Sequence, residues 1–366
     1  MTQKVTPNQA QLLSLVIDSG LCTGCGACVE LCPYMKSHNA DTVALFKCDR
    51  EQGRCYQYCP RTETRLDNLH KALFEKKDLT SEIGAFKVLY MTRAADPKIR
   101  SIAQHGGTVT ALVSLALSEG IISGCVLVDQ DEKMLPKSYT AFNQKSIIKA
   151  SGSKFVNAPT VAEFNRISPK GKDPLGVVAT PCQALALAKM RVNPADEDKE
   201  RMNWLKLVIG LFCGWTLDWR QLQNLVTQAI GEQKILAMDI PPSQHACMQV
   251  TTDKGITQIP IAQVNNCVRE CCDYCADMTA EFADVSVGSA RSDKGWEIDK
   301  GWNQVVVRSK AGEKLINLAR EKGVLEFKNV PKENLEKLKK VSLSKRKWSQ
   351  SKLSRLQENL EALQCQ

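Results

Sequence analysis

Short apolar runs alternate with longer amphipathic stretches through the middle of this chain, and that alternation predicts strands and helices in turn. Phe86 to Arg93 (FKVLYMTR) reads as a strand. Thr108 then caps a helix that runs through Glu119 and stops at Gly120, and Cys125 to Val128 resumes as a strand. The pattern recurs: Leu175 to Ala179 is a strand, Thr180-Pro181 opens a helix through Met190, Leu205 to Phe212 is a buried strand, and Leu217 to Ile230 is a helix closed by Gly231. Further strands fall at Cys247 to Thr251, Ile256 to Ile261, Ala283 to Gly288 and Asn303 to Arg308. Leucines at helical spacing from Leu335 to Leu363 predict one or two amphipathic helices in a basic C-terminal extension.

The predicted fold class is α/β, mixed with α+β character, with a cysteine-rich N-terminal module ahead of an α/β domain. The expected divisions are a module over 1–70, a linker over 71–84, the α/β domain over 85–330 and the helical extension over 331–366. At 366 residues and 43% hydrophobic content the chain can bury a core well beyond the small module. The polar opening MTQKVTPNQAQ shows no signal-peptide pattern, so the sixteen cysteines are expected to be reduced, in a cytoplasmic protein. The most apolar stretch, from Thr108 to Val128, is cut by Glu119, Gly120 and Gly124, which argues against a membrane span. A net charge of +9 comes without basic residues interleaved with aromatics, so nucleic acid is not an expected partner. The basic C-terminal extension reads either as a solvated helical face or as a docking surface for an acidic ferredoxin or a partner subunit.

Cysteine spacing carries the chemistry. Cys22, Cys25, Cys28 and Cys32 before Pro33 form C-x2-C-x2-C-x3-C-P, the ligand run of a bacterial ferredoxin, with Gly24 and Gly26 between them. Cys48, Cys55 and Cys59 before Pro60 supply an incomplete second half. In the symmetric arrangement Cys22, Cys25, Cys28 and Cys59 hold one 4Fe-4S cluster, and Cys32, Cys48 and Cys55 belong to another that lacks a ligand. Three outcomes stay open there: a 3Fe cluster, an oxygen ligand such as Asp49 or Glu51, or a cysteine from elsewhere. A zinc-stapled loop is the alternative for the whole module.

A second constellation lies far downstream. Cys267, Cys271, Cys272 and Cys275 precede the strand ADVSVG, Cys182 opens a helix, and Cys213 ends a strand. Element ends can aim side chains at one point. Cys182, Cys213, Cys272 and Cys275 are expected to form one 4Fe-4S site, with Cys267 and Cys271 as alternates. Cys125, Cys247 and Cys365 read as inert thiols.

CTGCGACVELCP, YCPR at Tyr58 to Arg61, HGGTVTALVSLAL, GSKFV, TPCQALAL, LVIGLFC, CDYCADMTAEFADVSVG and GWNQVVVR stand in this order between Leu21 and about Ser309. Together they resemble the coenzyme F420 hydrogenase/dehydrogenase beta subunits. The resemblance implies FAD beside iron-sulfur clusters, two to three in number, and electron transfer between a catalytic partner subunit and a soluble carrier: F420, ferredoxin or NAD(P)H. It implies an oxidoreductase whose flavin changes single electrons into pairs. Gly106, Gly107 and Thr108 at a helix start, with Thr110, are then candidate flavin-phosphate contacts, and Lys154 another. Of the four histidines only His105, beside these glycines, is a candidate. No G-x-G-x-x-G occurs. Two other readings remain: a relay subunit using ferredoxin or NAD(P)H, and a ferredoxin-dependent tetrapyrrole reductase.

Overall fold

An eight-stranded mixed sheet organises the chain in a computed structural model that describes residues 8–167, 173–241, 246–290 and 300–364. Its strands are β1 (Val88–Ala94), β2 (Gly124–Gln130), β3 (Pro136–Ala141), β4 (Leu175–Ala179), β5 (Leu205–Leu211), β6 (Val285–Ser289), β7 (Asn303–Val307) and β8 (Leu325–Lys328). They lie in the order β8-β1-β7-β6-β5-β4-β2-β3. The four central strands β2, β4, β5 and β6 run parallel, while the flanking pairs are antiparallel.

Burial on both faces explains why these strands read as continuous apolar runs. Successive residues point to opposite sides, so Cys125 and Leu127 pack with helices Thr108–Ser118 and Lys310–Glu321, while Val126 packs with helices Thr160–Ile167 and Pro181–Val192. Leu207 and Ile209 join the first core and Val208 the second. Cys25, Ala27 and Tyr58 of the N-terminal module are buried in that second core, which seats the module against the sheet's helical layer.

The module itself has a short helix, Gln9–Leu12, followed by a π-helical turn, Leu13–Ile17, and a hairpin, Met35–His38 with Asp41–Ala44. Asn39 and Ala40 take left-handed angles at the hairpin turn. Helix Leu66–Leu73 crosses from the module into the expected linker and buries Leu69 in the second core, and Ile83, near the linker's end, is fully buried. A three-stranded antiparallel sheet, Ile235–Asp239, Cys247–Thr252 and Gly255–Pro260, packs with helix Trp219–Ile230 around a separate core.

One helix start is corrected. The helix expected from Leu217 begins at Trp219, because Asp218 caps it by accepting from the Gln221 N–H at 3.0 Å, and Leu217 is fully buried as a bridge to Val156 and Val268. The C-terminal extension is one helix, Lys332–Gln364, laid against residues 270–274. This is within the expectation of one or two helices, and its inward positions include the polar residues Asn334, Ser342 and Ser349, all fully buried. The expected inert thiol Cys365 lies outside the described residues. Among the described residues no helix is long and apolar enough to cross a membrane.

Candidate metal centres

Cys22, Cys25, Cys28 and Cys59 line a single cavity with about 310 Å³ between its walls, part of it open to solvent. Two left-handed glycines bend the chain around it, Gly24 at φ +63° and Gly26 at φ +84°. A side chain on Gly24 would strike Asn157 and come within 2.7 Å of the Ala40 carbonyl, and one on Gly26 would come within 2.7 Å of the Ala162 nitrogen. Both positions are therefore held to glycine by angle and by space. Burial pushes the Cys59 thiol up to about 11. The amide of Arg61 points at Cys59 Sγ from 3.4 Å and that of Gly24 at Cys22 Sγ from 3.4 Å, the donors a thiolate needs.

A second cavity, about 420 Å³ between its walls, is lined by Cys182, Cys213, Cys271, Cys272 and Cys275. Cys182 stands in the first turn of helix Pro181–Val192, where Gln183 Oε1 accepts from the Thr180 N–H at 2.8 Å. Cys213 follows β5, its N–H bonded to the Met278 carbonyl at 2.8 Å. Both cysteines thus sit just beyond the C-terminal ends of parallel strands, the usual crevice of such sheets. Cys272 Sγ faces the N–H and Oγ1 of Thr216 at 3.4 and 3.6 Å. A hydrogen bond from Cys271 and these two donors hold Cys272 well below the ordinary thiol range, against the effect of burial. Of the two alternates, Cys271 lines the cavity, whereas Cys267 is buried in the core beside the three-stranded sheet.

Thr23 lines both cavities, so the two thiol sets stand on either side of one residue. Arginines fix this spacing from both directions. Arg61, next to Cys59-Pro60, donates to the carbonyls of Tyr274 and Cys271 at 2.6 and 2.5 Å. Arg269, in the downstream loop, donates to Asp41 at 3.0 Å and to the Cys22 carbonyl at 3.1 Å. Lys189, buried in helix Pro181–Val192, donates to the Cys59 carbonyl at 2.7 Å and to Thr62 Oγ1 at 2.9 Å. Lys345 of the C-terminal helix lines the second cavity and donates to the Cys213 carbonyl at 2.8 Å. None of these four cations was singled out by cysteine spacing; the one available signal was Lys189, a lone charge inside the Ala/Leu run of TPCQALALAKM.

Cys32 and Cys48 lie close enough to Cys55 that, after burial, their charges help push its thiol up to about 11. Among the described residues no three His, Cys, Asp or Glu side chains gather to hold a single ion. Zinc would draw its thiolates to about 2.3 Å from one point. Thiolates spread around a cavity suit a larger, sulfide-bridged group with one ligand per iron.

The residues expected around a flavin divide into two sets. Gly107 takes φ +74° as the N-cap of helix Thr108–Ser118, and a side chain on Gly106 would come within 2.7 Å of Asn303 Oδ1. Thr108 is fully buried, its hydroxyl 2.9 Å from that of Thr92 and its N–H 3.3 Å from Asn303 Oδ1. These three residues therefore serve the chain's own packing at the helix start. Thr110 and Lys154 come together instead around Ser151: Thr110 Oγ1 is 3.2 Å from Ser151 Oγ, and Lys154 Nζ donates to the Ser151 carbonyl at 2.8 Å. Burial lowers the Lys154 pKa. His105 is half-buried in the preceding loop.

The fold and the N-terminal cysteine run define the class: a mixed α/β protein carrying a 4Fe-4S ferredoxin-like motif, and residues 15–35 match the 4Fe-4S binding domain. Residues 89–163 and 173–333 match the N-terminal and C-terminal models of the coenzyme F420 hydrogenase/dehydrogenase beta subunit. The chain belongs to that family of oxidoreductase subunits. It is 29% identical over 286 residues to coenzyme F420 hydrogenase subunit beta of Methanothermobacter thermautotrophicus, covering 75% of this chain and 97% of that one. It is 24% identical over 271 residues to the F420-dependent formate dehydrogenase subunit beta of Methanocaldococcus jannaschii, covering 69% of this chain and 64% of that one. A chain of the F420-reducing NiFe hydrogenase complex from Methanosarcina barkeri superposes with a TM-score of 0.68 at 25% identity, over 75% of this chain and 94% of that one.

Proposed function

We propose that this chain relays electrons between a catalytic partner subunit and a soluble carrier, and that the carrier is coenzyme F420. The adjacency of two thiol-lined cavities across Thr23 supports this reading most directly. When bound, 4Fe-4S clusters supply one-electron storage and FAD supplies the change between one- and two-electron transfer. Cys22, Cys25, Cys28 and Cys59 would hold one cluster, and Cys182, Cys213, Cys272 and Cys275 another. Cys32, Cys48 and Cys55 would contribute to a third group, either a 3Fe cluster or a cube completed by an oxygen ligand or a cysteine from elsewhere.

The chain's own residues orient and insulate these groups. Gly24 and Gly26 let the backbone approach, the amides of Gly24 and Arg61 face ligand sulfurs, and the Arg61–Arg269 exchange sets the spacing between cavities. For FAD, Thr110, Ser151 and Lys154 offer the polar contacts, while Gly106, Gly107 and Thr108 shape the turn beside them.

Stopped-flow absorbance on anaerobic, chemically reduced protein tests the carrier. The expected result is faster reduction of F420 than of NAD+ or NADP+, with about one FAD released on acid denaturation. Turnover with NADH or reduced ferredoxin and none with F420 would replace the carrier, and reduction of a tetrapyrrole by the isolated chain would make it the catalyst itself.

A further inference from the structure

Lys189 occupies a position where an apolar side chain would pack at lower cost. Its helix neighbours Ala186, Leu187, Ala188 and Met190 are all buried in the core beneath the sheet, and Lys189 itself is 7% exposed. A buried ammonium is expensive unless an opposite charge is near. Among the described residues no carboxylate forms an ion pair with it; its three bonds go to the Cys59 carbonyl, Thr62 Oγ1 and, at 3.4 Å, the Glu63 carbonyl, while the Glu63 side chain is exposed. Burial lowers the Lys189 pKa to about 8, and the groups that work against this are Cys59 and Cys25, both on the first cavity, and then Glu63. An anionic group held by four thiolates there is the counter-charge the lysine lacks in protein alone.

We propose that Lys189 is a positioning residue that acts as a fixed positive charge behind the first thiol cavity and raises the reduction potential of the cluster held by Cys22, Cys25, Cys28 and Cys59. Cluster potentials respond to net charge and to hydrogen bonds around the ligands. A cation next to a ligand's own carbonyl stabilises the form carrying one more electron, and the effect is strong because the site is buried. The second cavity has its own cations, Arg61 and Lys345, so a change at Lys189 should act on the first cluster selectively. The inference rests on the assignment of clusters to these cavities made above.

EPR-monitored redox titration of the whole protein tests it, each reduction adding one electron per cluster from a chemical reductant. Lys189→Gln keeps a hydrogen-bond donor without the charge, Lys189→Arg keeps the charge, and Cys182→Ser removes the second cluster so that the first signal can be assigned. The expected result is a midpoint shifted to more negative potential in Lys189→Gln, recovery in Lys189→Arg, and an unchanged second cluster in both. A loaded Lys189→Gln protein with the parent midpoint would overturn the proposal and leave the cluster assignment standing; should Lys189→Gln fail to fold, a Lys189→Arg midpoint more negative than the parent would do so, because the charge is retained. A parent protein without iron and sulfide would overturn both.

Discussion

Arg61 and Arg269 reach past each other between the N-terminal module and the downstream cysteine loop, each donating to carbonyls beside the other's thiol set. Arg61 holds Cys271 and Tyr274, and Arg269 holds Cys22 and Asp41. Arg269 also has its guanidinium largely buried beside the half-exposed Asp41. Replacing it by Met leaves the Cys22 carbonyl and Asp41 without that donor, and hydrogen bonds to charged groups contribute roughly 1.5–3 kcal/mol each. Arg269→Met should therefore lower unfolding free energy by about 2 kcal/mol or more, measured by urea denaturation, while Arg220→Met, on the exposed side of Asp41, should cost much less. Equal costs for the two would place Arg269 outside the module contact.

Metal content separates iron-sulfur from zinc. Anaerobically purified protein should contain iron and acid-labile sulfide in near-equal amounts, enough for two to three clusters, with negligible zinc. Because the thiol sets line separate cavities, Cys182→Ser should remove one EPR signal and Cys25→Ser a different one. Zinc without sulfide would overturn the assignment, and loss of every signal in Cys182→Ser would merge the two sites.

The sequence marked the cavity-lining cysteines as candidates because the spacing of the N-terminal run is local and because Cys182 and Cys213 sit at strand ends that the apolar pattern already marked. It made three of the sheet's inner strands legible for another reason: β4, β5 and β7 are mostly buried and read as short apolar runs. Edge strands escaped it. PKSYTA at β3 and LEFK at β8 are polar enough to read as loop, and only pairing with β2 and β1 makes them strands. The inward polar seam of the last helix and the cations Arg61, Arg269 and Lys345 were illegible for a different reason. Their partners, backbone carbonyls and for Arg269 also the Asp41 carboxylate, lie far away in sequence and leave no spacing pattern.

His70 supplies a pH dependence outside the thiol sites. Its ring stacks on Phe282 with centroids 4.5 Å apart, and burial together with the Arg308 guanidinium holds its pKa below the usual imidazole range. Glu281 lies 3.6 Å away but is already paired with Arg346. In the unfolded chain the ring takes its proton near pH ~6.5, and in the folded chain only at lower pH. Between those values the unfolded state binds more protons, so stability falls as pH drops through this window. Denaturant midpoints measured from about pH 7 down to about pH 5 should decline less in His70→Phe than in the parent; parallel declines would show that His70 titrates normally.

Five thiols line the second cavity, yet a cube takes four ligands, so one cysteine must stand aside. Cys271 and Cys272 are the adjacent pair between which the choice falls. Cys272 faces two donors from Thr216 that lower its pKa, whereas the hydrogen bond to Cys272, together with burial, raises the Cys271 pKa. Cys271→Ser should therefore retain the second cluster's iron, sulfide and EPR signal, with at most a shifted potential, while Cys272→Ser should lose them. Thr216→Val, which removes the hydroxyl donor but leaves the N–H, should keep the cluster and make its potential more negative, because hydrogen bonds to ligand sulfur favour the reduced state. The reverse pair of outcomes, cluster lost in Cys271→Ser and kept in Cys272→Ser, would make the ligand set Cys182, Cys213, Cys271 and Cys275.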